Sequence, residues 1–155
     1  MSTRKGTVVG LVDVVEKLVL EARKTIEEKN ADLEDKEGVA RAVGTGALKY
    51  YDLSRNLRGD IVFRWEDALA FEGSTGPYLQ YTSARIHSII RKAGGVPDQG
   101  ASSLSSTDFA PAEQAVLRKI TQLPEVVRRA ASELMPSVVT QYLVELAQVY
   151  NSFYS

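Results

Sequence analysis

The sequence predicts an all-α protein, and three observations support that prediction. Apolar residues in the first thirty positions recur at steps of three and four, which places them on one face of a helix. Prolines at positions 111, 124 and 136 can each occupy the first turn of a helix. Extended patterning is confined to Ile61-Val62-Phe63. We therefore expect a helical bundle with little or no sheet.

Two long helices are predicted in the N-terminal third. The first runs from about Val12 to Asn30, with an apolar stripe of Leu11, Val15, Leu18, Val19, Ala22 and Ile26. The second begins near Asp32, which can cap its first turn, and has a stripe of Val39, Val43, Gly46, Tyr50 and Leu53. Gly44 and Gly46 each cost this helix about 1 kcal/mol relative to alanine. We expect close approach of another backbone as the compensation.

Turn signals, prolines and glycines predict the remaining elements. A turn over residues 56–60 and the short extended piece precede a short helix over residues 65–71. A third long helix runs from about Gly76 to Ala93, with Pro77 in its first turn and Gly94-Gly95 at its end. The serine- and glycine-rich stretch 94–106 predicts a flexible loop. Three further helices are expected over about residues 111–121, 124–134 and 136–154.

The composition excludes several classes of function. The 155 residues include no cysteine, which excludes disulfide scaffolds, thiolate zinc sites and thiol nucleophiles. His87 is the single histidine, so we expect an exposed or capped helix residue rather than a catalyst. No uncharged apolar stretch reaches about 18 residues, and no targeting segment is recognisable. A cytoplasmic protein without membrane contact is therefore expected.

The distribution of charge is more informative than its sum. The formal net charge is −1, which argues against nucleic-acid binding by bulk positive charge. Residues 73–97 nevertheless contain no acidic residue while they include Arg85, Arg91 and Lys92. Solvated helix positions are the ordinary role of such cations. The same stretch is also where a polyanion surface would be expected.

Three strings carry a resemblance to a known family. They are Met-Ser-Thr-Arg-Lys-Gly at residues 1–6, Phe-Glu-Gly-Ser-Thr-Gly-Pro-Tyr-Leu-Gln-Tyr at residues 71–81, and Asn-Ser-Phe-Tyr at residues 151–154. Their order and spacing resemble the arginyl-tRNA synthetases, a class I family. In that family they correspond to the second signature loop, the entry to the anticodon-binding domain and a late motif of that domain. The resemblance covers essentially the whole chain.

The resemblance implies a C-terminal segment of such an enzyme. Residues 1–60 would form the signature loop and a helical connecting region, and residues 61–155 an anticodon-binding domain cut short at its C-terminus. The whole enzyme would join arginine to its tRNA with ATP and Mg²⁺, and Ser2, Thr3 and Lys5 would stabilise charge on departing pyrophosphate. The alternative for these three residues is a frayed terminus.

The sequence departs from the family in lacking the first half of the adenylation site. It has no His-x-Gly-His signature, no Gly-rich nucleotide fingerprint and no alternation of strands and helices. This chain alone is therefore predicted unable to form the adenylate, with no cofactor or metal site of its own. The expected partners are tRNA and the catalytic half of the synthetase, and neither DNA nor a membrane is expected.

Candidate tRNA-binding residues lie on the helix that begins at Gly76. Tyr78, Tyr81, Arg85 and Lys92 fall near one side, where rings can stack on unpaired bases and cations can meet phosphates. The resemblance adds Gln80 to them. The alternative is that the two tyrosines pack against neighbouring helices, with only their hydroxyls at the rim.

The last helix supplies two further candidates. Asn151 and Tyr154 are three residues apart and share a helix face, so an amide and a phenol could read one base edge. The alternative places Phe153 and Val149 in the core and leaves Asn151 exposed.

A second hypothesis is a non-catalytic helical domain that binds protein partners. It expects exposed apolar surface around Leu143, Leu146 and Val149, where a partner or a second copy would pack. Self-association through these helix faces belongs to this hypothesis.

Overall fold

The protein is all-α in the part of the chain that the structure describes. The structure is a computed structural model that describes residues 10–56, 64–70, 73–96 and 109–154. Seven helices occur in these ranges: α1 Leu11–Lys29, α2 Lys36–Leu53, α3 Trp65–Leu69, α4 Gly76–Lys92, α5 Pro111–Ile120, α6 Leu123–Glu133 and α7 Ser137–Tyr154. The predicted fold class is confirmed. The extended piece at residues 61–63 and all but the first residues of the predicted loop 94–106 lie outside the described residues.

Helices α1 and α2 form an antiparallel hairpin that contains the apolar core. Ion pairs between Arg23 and Glu37 and between Lys36 and Glu27, both at 3.0 Å, span the two helices near the connection. The core comprises Val14, Leu18, Tyr51 and Ala68, with Leu48, Trp65 and Leu69 packed against it. Helix α3 therefore closes the open side of the hairpin.

The predicted apolar stripe of α2 is wrong by one position. Val39 and Leu53 are 36% and 43% exposed. The buried residues of α2 are instead Ala40, Gly44, Ala47 and Tyr51. Three of these four residues are small, and at Gly44 the backbone of α1 approaches too closely for a side chain. In α1 the buried residues are Val14, Leu18 and Ala22, and the predicted stripe residue Leu11 is 70% exposed.

The cap of α2 also differs from the prediction. Asp35 rather than Asp32 is the N-cap, and its Oδ1 accepts a hydrogen bond from the Gly38 amide at 2.9 Å. An aspartate N-cap commonly accepts from the amide of the third helical residue, and here that residue is Gly38. The helix therefore begins at Lys36, four residues after the predicted cap.

Glycines set the spacing of α2 from both of its neighbours. A Cβ on Gly44 would lie 2.7 Å from the backbone nitrogen of Val19 in α1, and a Cβ on Gly76 of α4 would lie 2.7 Å from the carbonyl oxygen of Gly46. Neither distance is possible for a real side chain. The predicted close backbone approach is confirmed at Gly44. At Gly46 the backbone of Gly76 lies close to the carbonyl oxygen, but a Cβ would meet the side-chain amide of Gln80.

The two ends of α4 agree with the sequence prediction. Thr75 is the N-cap: its Oγ1 accepts from the Tyr78 amide at 3.2 Å and donates to the Ala70 carbonyl at 2.6 Å. Pro77 lies buried in the first turn. Gly94 and Gly95 follow the last turn with positive φ of 81° and 111°, which ends the helix. The position of α4 is thus fixed at its start by a cap, a proline and the contact of Gly76 with α2.

Helices α5, α6 and α7 form the second half of the bundle. Helix α7 packs on both α5 and α6, and its N-terminal part also reaches α2. The Tyr142 hydroxyl of α7 donates to the Lys119 carbonyl of α5 at 2.9 Å, and the Lys119 ammonium pairs with Glu145 at 2.6 Å. These polar contacts fix α7 against α5, and the C-terminal part of α7 is thereby brought against α4.

Replacing Gly44 by alanine tests the close approach of α1 and α2. The new Cβ meets backbone, which cannot rotate away, so the helices must separate, at a cost of about 1–3 kcal/mol. The gain in helix propensity, about 1 kcal/mol, offsets part of this. We expect a net lower free energy of unfolding in urea denaturation. Lys49→Ala, an exposed substitution in the same helix, is the control, and an unchanged or more stable Gly44→Ala contradicts the account.

The Lys119–Glu145 pair predicts a pH dependence of stability. The hydrogen bond from Lys119, followed by one from Gln141, lowers the pKa of Glu145 below its usual value of 4.5. Because the folded pKa is depressed, the stabilisation is present above the unfolded pKa and is lost as the pH falls through the folded pKa. Glu145→Gln should therefore lose less stability than the native chain below about pH 4.5. Thermal unfolding followed by circular dichroism from pH 7 to pH 3 measures the difference between the two proteins. If their midpoint temperatures fall in parallel with pH, the Lys119–Glu145 pair does not cause the pH dependence.

Candidate nucleic-acid interface

An arginine on α4 lies within cation–π distance of two exposed tyrosine rings. The guanidinium carbon of Arg85 is 4.5 Å from the ring centroid of Tyr154 on α7 and 5.9 Å from that of Tyr81 on α4. Tyr81 is 56% exposed and Tyr154 is 47% exposed. Cation–π contact holds a guanidinium at such distances. We name Tyr81, Arg85 and Tyr154 the aromatic–cationic flank.

Further rings extend the flank along α7. Tyr150 stacks on Tyr154 with centroids 6.4 Å apart and an interplanar angle of 14°, and Phe153 lies 6.2 Å from Tyr150 at a tilted angle. Tyr150 is not among the residues predicted from the sequence, although its spacing of four residues from Tyr154 could have indicated it. Phe153 is 43% exposed and Asn151 is half-buried. The alternative with Phe153 in the core and Asn151 exposed is therefore wrong.

Helix α4 carries only positive formal charges. Arg85, Arg91 and Lys92 lie on it without any Asp or Glu. Lys92 is exposed and stands seven residues after Arg85, so it lies two turns along the same face. His87 is exposed as expected, and its Nδ1 lies 2.8 Å from the Ser83 carbonyl oxygen. The flank thus continues into a cationic helix end.

Three other predicted residues have their polar groups engaged within the protein. The Asn151 amide donates to the Tyr78 hydroxyl at 2.9 Å and to the Thr82 hydroxyl oxygen at 3.3 Å. The Gln80 amide donates to the Ala42 carbonyl of α2 at 2.8 Å. Tyr78 and Gln80 are half-buried, whereas Tyr81 on the same helix is exposed. The structure therefore separates the predicted residues into an exposed set and a set that joins helices.

A polar cleft of about 660 Å³ lies between α2 and α7. Arg55 and Glu145 both line it, so its charges oppose each other and favour neither an anion nor a cation. Burial raises the pKa of Tyr50 in this cleft, and nearby Arg55 opposes the shift. The flank is the better candidate for a polyanion because its charges have one sign.

The predicted signature-loop residues Ser2, Thr3 and Lys5 lie outside the described residues.

In the described ranges, no three His, Asp or Glu side chains lie close enough together to hold a metal ion. No helix in the described ranges is long and apolar enough to cross a membrane.

Comparisons with protein families match the chain in two parts. Residues 1–65 match a family of class I tRNA synthetases for arginine, catalytic domain, and residues 79–155 match the DALR anticodon binding domain. Together the two families cover most of the chain. The aromatic–cationic flank lies in the second part.

Individual relatives agree with these families. The arginine–tRNA ligase of Lactococcus lactis is 44% identical over 154 residues, which is 99% of this chain and 27% of the relative. That of Thermus thermophilus is 43% identical over 155 residues, 100% of this chain and 25% of the relative. The chain thus spans about a quarter of the length of the curated relatives it matches.

Solved structures show the same fold. The Thermus thermophilus arginyl-tRNA synthetase matches with a TM-score of 0.87 at 39% identity, covering 100% of this chain and 25% of that chain. The Plasmodium falciparum enzyme matches in fold with a TM-score of 0.80 at 20% identity, covering 95% of this chain and 27% of that one. From these matches, the chain belongs to the arginyl-tRNA synthetase family and corresponds to a segment that leads into its anticodon-binding domain.

Proposed function

We propose that these helices bind the anticodon side of tRNA as part of an arginine–tRNA ligase, with the aromatic–cationic flank as the contact surface. The family match to an anticodon binding domain supports this function. The observation that carries it is Arg85, within cation–π distance of the exposed rings of Tyr81 and Tyr154. Unpaired anticodon bases stack on aromatic faces, and a guanidinium can meet the phosphates between them.

The predicted residues have different parts in this proposal. Tyr81, Arg85, Tyr154 and Lys92 are exposed or half-exposed and contact RNA directly. Tyr78, Gln80 and Asn151 bond within the protein, and direct base contact by these three remains a prediction. The division into residues 1–60 and 61–155 also stays a prediction.

The activity of the whole protein is part of the same proposal. The curated relatives are arginine–tRNA ligases, and class I enzymes of this kind use ATP. We propose that the whole protein attaches arginine to its tRNA with ATP and Mg²⁺. Ser2, Thr3 and Lys5 act there on the pyrophosphate charge, and the catalytic half supplies what this chain lacks. The comparisons do not favour the protein-interaction domain, and nothing in them supports self-association.

Arg85→Ala tests the flank. It removes one phosphate contact, so binding of an arginine tRNA transcript should weaken about five- to tenfold, and the slope of log K against log salt should fall by about 0.7 to 1. Fluorescence anisotropy from 50 to 200 mM salt measures both quantities.

Two matched variants complete this experiment. Arg85→Lys keeps the charge but loses the planar group that contacts the rings, so the salt slope should be kept while affinity falls. Arg128→Ala removes an exposed cation from α6, which does not form the flank, and should change neither quantity beyond error. Equal effects of Arg85→Ala and Arg128→Ala, or equal affinity of the native chain for the transcript and for a random duplex of similar charge, would refute anticodon-side binding by the flank.

A further inference from the structure

A single amide joins α7 to α4 beside the flank. The Asn151 Nδ2 group donates to the Tyr78 hydroxyl at 2.9 Å and to the Thr82 hydroxyl oxygen at 3.3 Å. Thr82 is 4% exposed, and its own hydroxyl donates to the Tyr78 carbonyl at 3.0 Å, so its oxygen is left to accept from Asn151. The Asn151 amide nitrogen therefore has two defined acceptors on α4.

The joint lies where α7 meets α4, an interface smaller than those that α7 forms with α5 and α6. Apolar packing of ridges into grooves restricts a helix through the fit of its side chains, and where that contact is small the restraint is weaker. A hydrogen bond weakens steeply once its distance or angle departs from the optimum. The contacts of the Asn151 amide therefore add a directional restraint on the C-terminal part of α7 relative to α4, beyond the polar contacts that hold the helix on α5.

The position of this joint relative to the flank is set by helix geometry. Tyr154 follows Asn151 by three residues on α7, and Arg85 follows Thr82 by three residues on α4. The Arg85–Tyr154 contact is thus about one turn from the joint on both helices. Rotation or fraying of the last turn of α7 would turn the Tyr154 ring away, because each helical residue is rotated by about 100° from the one before it. Its face would then no longer cover the guanidinium.

We propose that Asn151 is a positioning residue of the flank: its bonds to Tyr78 and Thr82 set the helix register at which Tyr154 covers Arg85. The consequence for RNA rests on the proposed function, because the flank is there the contact surface. The consequence for the Arg85–Tyr154 contact does not depend on RNA. The two consequences can therefore fail separately.

The first test observes the contact in the free chain by NMR. The Tyr154 ring current shifts the Arg85 side-chain resonances, and Tyr154→Leu gives the value without the ring. Asn151→Ala should move these resonances at least halfway to that value while far-ultraviolet circular dichroism stays native. Tyr78→Phe, which deletes one acceptor and keeps the ring, should give a smaller movement in the same direction.

The control for this test is Gln148→Ala. Gln148 is an exposed amide one turn earlier on α7 that lines the cleft toward α2. The Gln148→Ala substitution should leave the Arg85 resonances unchanged. If Asn151→Ala and Tyr78→Phe also leave them unchanged in a folded chain, the proposal is overturned, whatever the chain binds.

The second test measures transcript binding in a double-mutant cycle. Asn151→Ala should weaken binding about fivefold, the low end of what a base–aromatic stack contributes. The effects of Asn151→Ala and Arg85→Ala should be non-additive, because both act through the same contact. Additive effects with a native Arg85 spectrum would show a general loss of stability and overturn the positioning role. Absence of binding by the native chain would instead overturn the proposed function and leave the spectroscopic result to decide the role of Asn151.

Discussion

The fold depends on the close contact of α2 with both α1 and α4. Gly44 allows the backbone of α1 to approach, and Gly76 allows α4 to approach the backbone of α2 at Gly46. At these distances a methyl group would overlap backbone atoms, so the contacts cannot be recovered by turning a side chain. Because α4 packs against α2 at its first residue, the place where α4 begins is fixed, and the direction of its exposed face is fixed with it.

The contact with α2 determines which side of α4 faces solvent. The Thr75 cap and the Gln80 bond to α2 hold the first turns of the helix. The side that faces away from α2 then carries Tyr81, Arg85 and Lys92. Helix α7 adds Tyr154 from the other half of the bundle. The flank is thus assembled from segments about seventy residues apart, and its geometry depends on how the two halves meet.

Local signals were sufficient to predict the elements and the exposed cations. The proline and glycines around α4 predicted both of its ends. The absence of acidic residues from the stretch 73–97 predicted its cationic face. The buried face of α2 could not be predicted from hydropathy. Ala40, Gly44 and Ala47 are buried because they are small, whereas the larger Val39 and Leu53 remain outside. A scale that ranks residues by apolar surface selects the wrong stripe in a closely packed helix pair.

The site shows the same division between local and long-range information. Helical spacing predicted Tyr78, Tyr81, Arg85 and Lys92 near one side of one helix, and in the structure Tyr78 is half-buried while Tyr81 and Lys92 are exposed. It could not show that Asn151 bonds to Tyr78, since those residues are 73 positions apart and no local pattern links them. Tyr78 is half-buried because α7 packs beside it, and the residues of α4 alone give no sign of that contact. Roles that depend on contact between helices required the structure.

The most direct measurement of the central claim is photocrosslinking of a tRNA transcript that carries 4-thiouridine in the anticodon loop. Adducts on the chain are mapped to peptides by mass spectrometry. The account expects them on the peptides of α4 and the end of α7 that contain Tyr81 and Tyr154, at levels that fall with salt. Adducts spread over α1, α5 and α6, or equal in number for a thiouridine placed in a base-paired stem, would contradict it.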